Sequence, residues 1–206
     1  DFLLRFNQVD EVEKELTAVL KSAADPASAV DPADSAWAKR TLAMTYVVRA
    51  ELTGDYQQAR NALYLYAPPG ADERPATDEA EDLRVLSRVY EAQRMIGYRR
   101  KAIEILERLD GEHRVTDDDR FFLARLYRAD GRWDKARAVS KRLVDEVRKP
   151  TSVQELYQQT VMIGEFASNL IDQIQKAGGK PESDVVEAGE LIERLRKIQP
   201  DGFNVL

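Results

Sequence analysis

The stretch from Phe121 to Leu143 reads FFLARLYRADGRWDKARAVSKRL, and it decides how the rest of the chain is interpreted. Its apolar residues follow a helical spacing on both sides of a turn at 129–131. Ala124 and Ala136 occupy positions where two helices would touch, and Trp133 stands near the second of them. The stretch therefore predicts a helix hairpin that is packed through small side chains.

The chain repeats this plan loosely. Gly54, Gly97 and Gly131 each precede a predicted second helix, at intervals of 43 and 34 residues, and an alanine follows each glycine five residues later. These alanines are Ala59, Ala102 and Ala136, and Ala188 takes the equivalent place in the last pair. Alanine lets two helices cross closely, and glycine permits the positive φ of a helix C-cap. The recurrence predicts stacked hairpins that bury a continuous apolar core.

Helical periodicity predicts a first helix over residues 2–23 and then four helix pairs. The pairs cover about 35–66, 78–109, 117–147 and 152–198, with breaks at Gly54, Pro68-Pro69-Gly70, Gly97 and Gly178-Gly179. No window alternates β-branched residues in the manner of a strand. The predicted fold class is all-α, with about nine helices in a single domain over residues 1–206.

Helix starts are also predicted from short polar side chains. Asp34 or Ser35 is a candidate cap for the second helix, and Thr151 or Ser152 for the eighth. Thr116 and Asp119 have the spacing of a capping box. This box accounts for part of the acidic run at 117–119, and acidic residues are favoured by the dipole at a helix N-terminus. We therefore predict no metal site there.

Composition limits the possible functions. The 206 residues are 43% hydrophobic and 33% charged, which suits a globular core, and there is no cysteine to form disulfides, thiolate metal sites or a nucleophile. The compartment stays open between cytoplasm and periplasm. The apolar runs are too short for a membrane-spanning helix. The chain begins with Asp1 rather than Met, which predicts that it was processed or cut from a longer protein.

Charge is unevenly distributed along the chain. The net charge of −6 argues against nucleic-acid binding, but the segment from Arg120 to Lys149 carries ten Lys and Arg against four Asp and Glu. Such a segment is either a binding face or a solvated helix surface. The single histidine, His113, lies in a polar loop, and no phosphate-binding or HExxH pattern is present. We predict no catalytic activity, no metal and no cofactor.

The third pair resembles the tetratricopeptide repeat family. The matching positions are Ala124, Tyr127, Gly131, Trp133, Ala136 and Leu143 in that pair, Ala188, Ile192, Leu195 and Pro200 in the last pair, Gly54, Tyr56 and Ala59 in the first, and Gly97 and Ala102 in the second. Their offsets follow the family's roughly 34-residue pattern most clearly in the third pair. The resemblance covers about residues 35–200, and it suggests a segment of a longer bacterial-type repeat protein.

The resemblance implies a right-handed superhelix whose concave groove holds a peptide or a partner helix. The residues that it places toward this groove are Arg40, Arg84, Arg88, Phe121, Arg125 and Arg128. Guanidinium groups pair bidentately with carboxylates, so an acidic or C-terminal carboxylate ligand is expected. The family's Lys and Asn clamp for chaperone tails is missing, since Arg125 stands where that pattern has Asn.

Two alternatives remain open at this point. The arginines can instead be solvated or paired within the scaffold, and the chain can be a structural or regulatory spacer with no ligand of its own. Trp37, at the start of the second helix, can face either the upstream helix or the groove.

Overall fold

The computed structural model describes residues 9–25, 29–64, 79–146, 150–178 and 181–198, and the secondary structure in these ranges is entirely helical. The helices are α1 (Val9–Ala23), α2 (Pro32–Thr53), α3 (Gln57–Tyr64), α4 (Ala80–Ala92), α5 (Ile96–Gly111), α6 (Asp117–Ala129), α7 (Trp133–Asp145), α8 (Val153–Lys176) and α9 (Glu182–Ile198). The all-α prediction is confirmed for this part of the chain.

The chain divides into two compact units, Asp1–Val115 and Thr116–Leu206. In the N-terminal unit, α2 packs against α1, α3 and α4, and α4 packs against α5. In the C-terminal unit, α6 pairs with α7 and α8 with α9, while α7 also packs against α8. Helices that are neighbours in sequence therefore pack as pairs. A single repeat domain over residues 1–206 stays a prediction.

The recurring alanines are buried where they were predicted. Ala59 and Ala102 are fully buried, and Ala136 and Ala188 are nearly so. A methyl group at these positions lets the paired helices approach closely, because a larger side chain would hold their backbones apart. The small-residue positions of the repeat are thus packing positions.

The glycine prediction is correct for two of the three aligned turns and wrong for the third. Gly54 and Gly131 have φ values of 77° and 78°, in the left-handed region that favours glycine. Gly97 instead lies in the first turn of α5. Helix α4 ends earlier than predicted, at Ala92, and Arg94 adopts the left-handed conformation with φ 53°. The N–H of Arg94 donates to the Glu91 carbonyl at 2.9 Å, so the chain has already turned before Gly97.

The predicted start of the second helix is also wrong. Helix α2 begins at Pro32, because the side chain of Asp31 accepts a hydrogen bond from the N–H of Ala33 at 2.8 Å. Proline suits this first helical position, since its missing N–H would have no partner there. Asp34 and Ser35, the expected caps, lie inside the first turn.

Two other predicted helix starts are confirmed. Thr116 and Asp119 form the capping box, with the Thr116 N–H donating to the Asp119 carboxylate at 2.9 Å and the Asp119 N–H donating to Thr116 Oγ1 at 3.2 Å. Ser152 caps α8 by accepting from the Glu155 N–H at 3.1 Å. The predictions that fall on residues 2–8, on 65–78 with the Pro68-Pro69-Gly70 stop, and on 199–206 with Pro200 lie outside the described residues.

A buried apolar cluster holds α7, α8 and α9 together. Its members are Val144, Ile163, Phe166, Ala167, Leu170, Ala188, Leu191 and Leu195. Trp133 is partly buried and packs against this cluster. This part of the core of the C-terminal unit lies mainly between α8 and α9, and α7 contributes Val144 to it.

Ion pairs add specific contacts between α7 and α9. Arg137 lies 2.6 Å from the buried carboxylate of Asp184 and 2.6 Å from that of Glu187, and Lys141 lies 2.8 Å from Glu187. Burial alone would raise the pKa of Glu187, but the hydrogen bonds from Lys141 and Arg137 outweigh it and hold the pKa below its ordinary value. The charged form of Glu187 is therefore the one that the fold stabilises.

A second polar contact joins α1 to α2 in the N-terminal unit. Tyr46 donates a hydrogen bond to a carboxylate oxygen of Glu13 at 2.9 Å. Burial, together with this bond to an acceptor, raises the pKa of Tyr46 to about 12. The tyrosine stays protonated and keeps donating over the physiological pH range.

Candidate partner-binding face

Helices α6 and α8 face each other through polar side chains in the C-terminal unit. Arg125 of α6 lies 3.4 Å from a carboxylate oxygen of Glu165 on α8, and Arg128 donates a hydrogen bond to the side-chain oxygen of Asn169. Arg125 and Glu165 are 40 positions apart in the chain, and Arg128 and Asn169 are 41 apart. The contact that lies nearer the C-terminus of α6 therefore also lies nearer the C-terminus of α8. The two helices therefore run in the same direction.

An exposed apolar row continues along α8 from these contacts toward its N-terminus. Val153, Tyr157 and Val161 follow one another at single-turn spacing, and they are 84%, 66% and 38% exposed. The register of the two helices places the half-buried Phe121 of α6 level with Val161. We call this surface the α6–α8 face, and its residues are Phe121, Arg125, Arg128, Val153, Tyr157, Val161, Glu165 and Asn169.

A cleft of about 450 Å³ borders the other end of the α6–α8 face. The residues that line it are Arg128, Gly131, Trp133, Asn169, Asp172, Gln173 and Lys176. The lining thus contains two cationic groups, two side-chain amides, an indole ring and one carboxylate. Such a lining offers several hydrogen-bond donors to an anionic group and an aromatic surface to an apolar one.

Two of the predicted arginines in the N-terminal unit contact other groups of that unit. Arg40 donates to the buried carboxylate of Asp82 at 2.6 Å. Arg84 donates to the Glu81 carboxylate and to the backbone carbonyl of Arg114. Arg88 lies about one turn after Arg84 on α4 and is half-buried. A ligand for Arg40 or Arg84 would have to compete with these internal contacts, and their role in binding stays a prediction.

The excess of basic residues between Arg120 and Lys149 is largely engaged in ion pairs within the C-terminal unit. The pairs are Arg120 with Asp117 and Glu146, Arg125 with Glu165, Arg132 with Asp130, Arg137 with Asp184 and Glu187, Lys141 with Glu187, and Arg142 with Glu146. Several acidic partners come from α8 and α9, which lie outside the basic segment. The sequence count therefore overstated the charge that this surface offers to a ligand.

Sequence reasoning missed the contribution of α8 to the candidate site. Helical periodicity assigns Tyr157, Asn169 and Lys176 only to an amphipathic helix. The signal that could have identified the apolar end was the single-turn spacing of Val153, Tyr157 and Val161. The pattern alone did not separate this exposed row from the buried row that includes Ile163, Phe166 and Leu170, because both are apolar.

Three further residues that the sequence singled out, Trp37, His113 and Asp119, lie outside the α6–α8 face. Trp37 lies near the start of α2 and is 59% exposed. His113 lies in the exposed turn after α5, with φ 56°. Asp119 is engaged in its helix cap, and the described residues contain no cluster of three His, Cys, Asp or Glu side chains arranged to hold a metal ion.

In the part of the chain that the structure describes, no helix is both long enough and apolar enough to cross a bilayer.

Comparison of the chain with protein-family models, with curated proteins and with solved structures gave no match. The resemblance to tetratricopeptide repeats therefore stays a prediction that rests on the residue pattern.

Proposed function

We propose that this protein is a non-catalytic interaction module that binds a peptide or a partner helix on the α6–α8 face. The observation that carries the proposal is the exposed apolar row Val153, Tyr157 and Val161, which continues into the guanidinium contacts of Arg125 and Arg128. Apolar area supplies affinity in a protein interface, and charged groups supply orientation and selectivity.

The proposal also includes the arrangement of the helix pairs into a superhelix. The buried alanines and the left-handed Gly54 and Gly131 agree with the hairpin pattern that led to the tetratricopeptide comparison. A right-handed superhelix of such pairs would present the first helix of each pair on one side. Helices α6 and α8 are the first helices of their pairs, so the α6–α8 face would belong to the concave side.

The proposal is tested by affinity capture from the source cells, using the whole chain as bait. The double variant Arg125→Glu, Arg128→Glu reverses both charges of the face, and Tyr157→Asp disrupts its apolar row. Arg196→Glu and Val186→Asp are matched controls, because both residues are exposed on α9. We expect one set of proteins to be recovered with the wild type and the controls and to be lost with both test variants. Equal recovery with all five baits would contradict binding on this face.

A second candidate function is a structural or regulatory spacer with no ligand of its own. The internal contacts of Arg40 and Arg84 favour it, because these predicted ligand-binding groups instead stabilise their own unit. A spacer predicts that no protein is recovered specifically by the α6–α8 face, while the same chain still folds with normal helical content.

A further inference from the structure

The α6–α8 face changes its chemical character along α8. Its first two turns present Val153 and Tyr157, which are more than half exposed. Its last turns present Asn169 and Lys176, which line the cleft together with Arg128. One end therefore suits an apolar side chain, and the other suits a group that accepts hydrogen bonds.

The charge at the polar end is positive and open to an external partner. Arg128 donates to the neutral amide of Asn169, so this contact does not neutralise its charge. Arg125 is 57% exposed and lies 3.4 Å from Glu165, which is a loose contact for an ion pair. Lys176 adds a third cation, and Asp172 is the one carboxylate that lines the cleft in the described structure.

A carboxylate fits this end better than a neutral group. A guanidinium has several N–H donors in a fixed fork, and a carboxylate accepts two of them at once. Arg128 uses one donor toward Asn169, which leaves donors for a ligand carboxylate. The amides of Asn169 and Gln173 are able to donate to the same group.

The separation of the two ends sets the length of the ligand. Tyr157 and Asn169 are 12 residues apart on one helix, which corresponds to about 18 Å along its axis. A helical ligand covers this distance with about 12 residues, and an extended one with about 5 or 6.

We infer that the partner is a bipartite segment of another protein, with an apolar anchor over Tyr157 and one or more carboxylates about 12–18 Å away, against Arg125 and Arg128. The inference rests on the proposed function, because it names the chemistry of the ligand for that same face. Charge complementarity selects this occupant over a basic or a purely apolar segment.

The test is selection of a phage-displayed random 16-residue peptide library on the whole immobilised chain. We expect enriched peptides to contain an aromatic or aliphatic residue and, at a fixed separation, one or two Asp or Glu residues. A fluorescein-labelled consensus peptide is then titrated with the wild type and with the variants Tyr157→Asp and Arg125→Glu, Arg128→Glu. Fluorescence anisotropy should show at least about tenfold weaker binding for each variant.

Matched controls separate loss of binding from loss of fold. Val186→Asp and Arg196→Glu should retain the wild-type affinity, and circular dichroism should show equal helical content in every variant. Replacing the peptide's acidic residues by Asn or Gln should remove its sensitivity to Arg125→Glu, Arg128→Glu. Added salt screens exposed charge pairs and should weaken binding of the acidic peptide. It should not weaken binding of the peptide with Asn or Gln in place of the acidic residues.

Each contrary result has a defined meaning. Enriched peptides that are apolar without acidic residues overturn the bipartite chemistry and leave the proposed function standing. Absence of any enrichment contradicts the inference and the proposed function together. Dimerisation of the wild type in sedimentation, abolished by Tyr157→Asp, shows that a second copy occupies the face and overturns the assignment to a separate partner.

Discussion

Arg40 on α2 donates a hydrogen bond to the buried carboxylate of Asp82 on α4, and the two atoms lie 2.6 Å apart. Lys39 donates to the other oxygen of the same carboxylate. One buried acid thus holds two cations from a helix that precedes it by more than 40 residues. Arg40 was predicted to face a ligand, and its observed contact is with its own scaffold.

This arrangement makes Asp82 important for stability. Asp82→Asn keeps the shape of the side chain but removes its charge, so the half-buried cations lose their counter-ion. We expect the free energy of unfolding, measured by urea titration with circular dichroism, to fall by about 2–4 kcal/mol. Glu81→Gln is the matched control, because Glu81 is exposed on the same helix and should cost at most about 1 kcal/mol. Equal effects of the two changes would show that Asp82 has no special role.

Gly131 and Gly97 occupy the same place in the repeat, but replacing each by alanine should change the free energy of unfolding in opposite directions. Gly131 has φ 78°, where a Cβ is strained, so Gly131→Ala should lower the free energy of unfolding by about 1 kcal/mol. Gly97 is helical, and a methyl group added there would meet open space, so Gly97→Ala should raise the free energy of unfolding by about 0.5–1 kcal/mol. Thermal unfolding of the two variants measures both signs, and destabilisation by Gly97→Ala would contradict its helical conformation.

Glu187 should make the C-terminal unit sensitive to acid. Its pKa in the folded state lies below the ordinary value of 4.5, so the stability it contributes is fully present above that value and is lost as the pH falls through the folded pKa. Glu187→Gln should therefore lower the free energy of unfolding near neutral pH and flatten its decline between about pH 5 and about pH 3. Urea unfolding followed by circular dichroism at several pH values measures this dependence. Glu190→Gln, an exposed change on the same helix, should leave the curve unchanged, and parallel curves for Glu187→Gln and the wild type would refute the prediction.

Ala136 is buried on α7, which packs against α6, and it should not tolerate a larger side chain. Ala136→Leu should destabilise the C-terminal unit by about 1–3 kcal/mol, because three more carbon atoms must enter a packed interface. Ala138→Leu places the same side chain at an exposed position of α7 and should change stability by at most about 0.5 kcal/mol. Thermal unfolding compares the two variants, and similar melting temperatures would mean that Ala136 is not a close-packing position.

Local rules explain which parts of the fold were predictable. The capping box at Thr116 and Asp119 and the left-handed Gly54 and Gly131 depend on interactions between residues near in sequence, so they were readable in advance. The error at Gly97 arose because helix ends have several local solutions. Here the chain turned at Arg94 and left the glycine inside the next helix.

The candidate site was less predictable than the helices. Phe121, Arg125 and Arg128 came from the repeat pattern, and the structure shows the last two in contact with α8. Their partners Glu165 and Asn169 lie about 40 residues away, and no local periodicity encodes that distance. The apolar end of the face was missed for a related reason, because Tyr157 and Phe166 are both apolar residues of one helix and only packing shows which of them is covered.

By itself, the sequence determined the helical fold class, the helix hairpins with their buried alanines, and two of the three aligned glycine turns. These features follow from backbone sterics, helix capping and periodic burial, which act over a few residues. Only the tertiary structure decided that Arg40 pairs with Asp82, that the basic segment is balanced by acids from α8 and α9, and that Val153, Tyr157 and Val161 remain exposed. The physical reason is that charge pairing and burial depend on which helix faces lie together in space, and residues distant in the chain determine that arrangement.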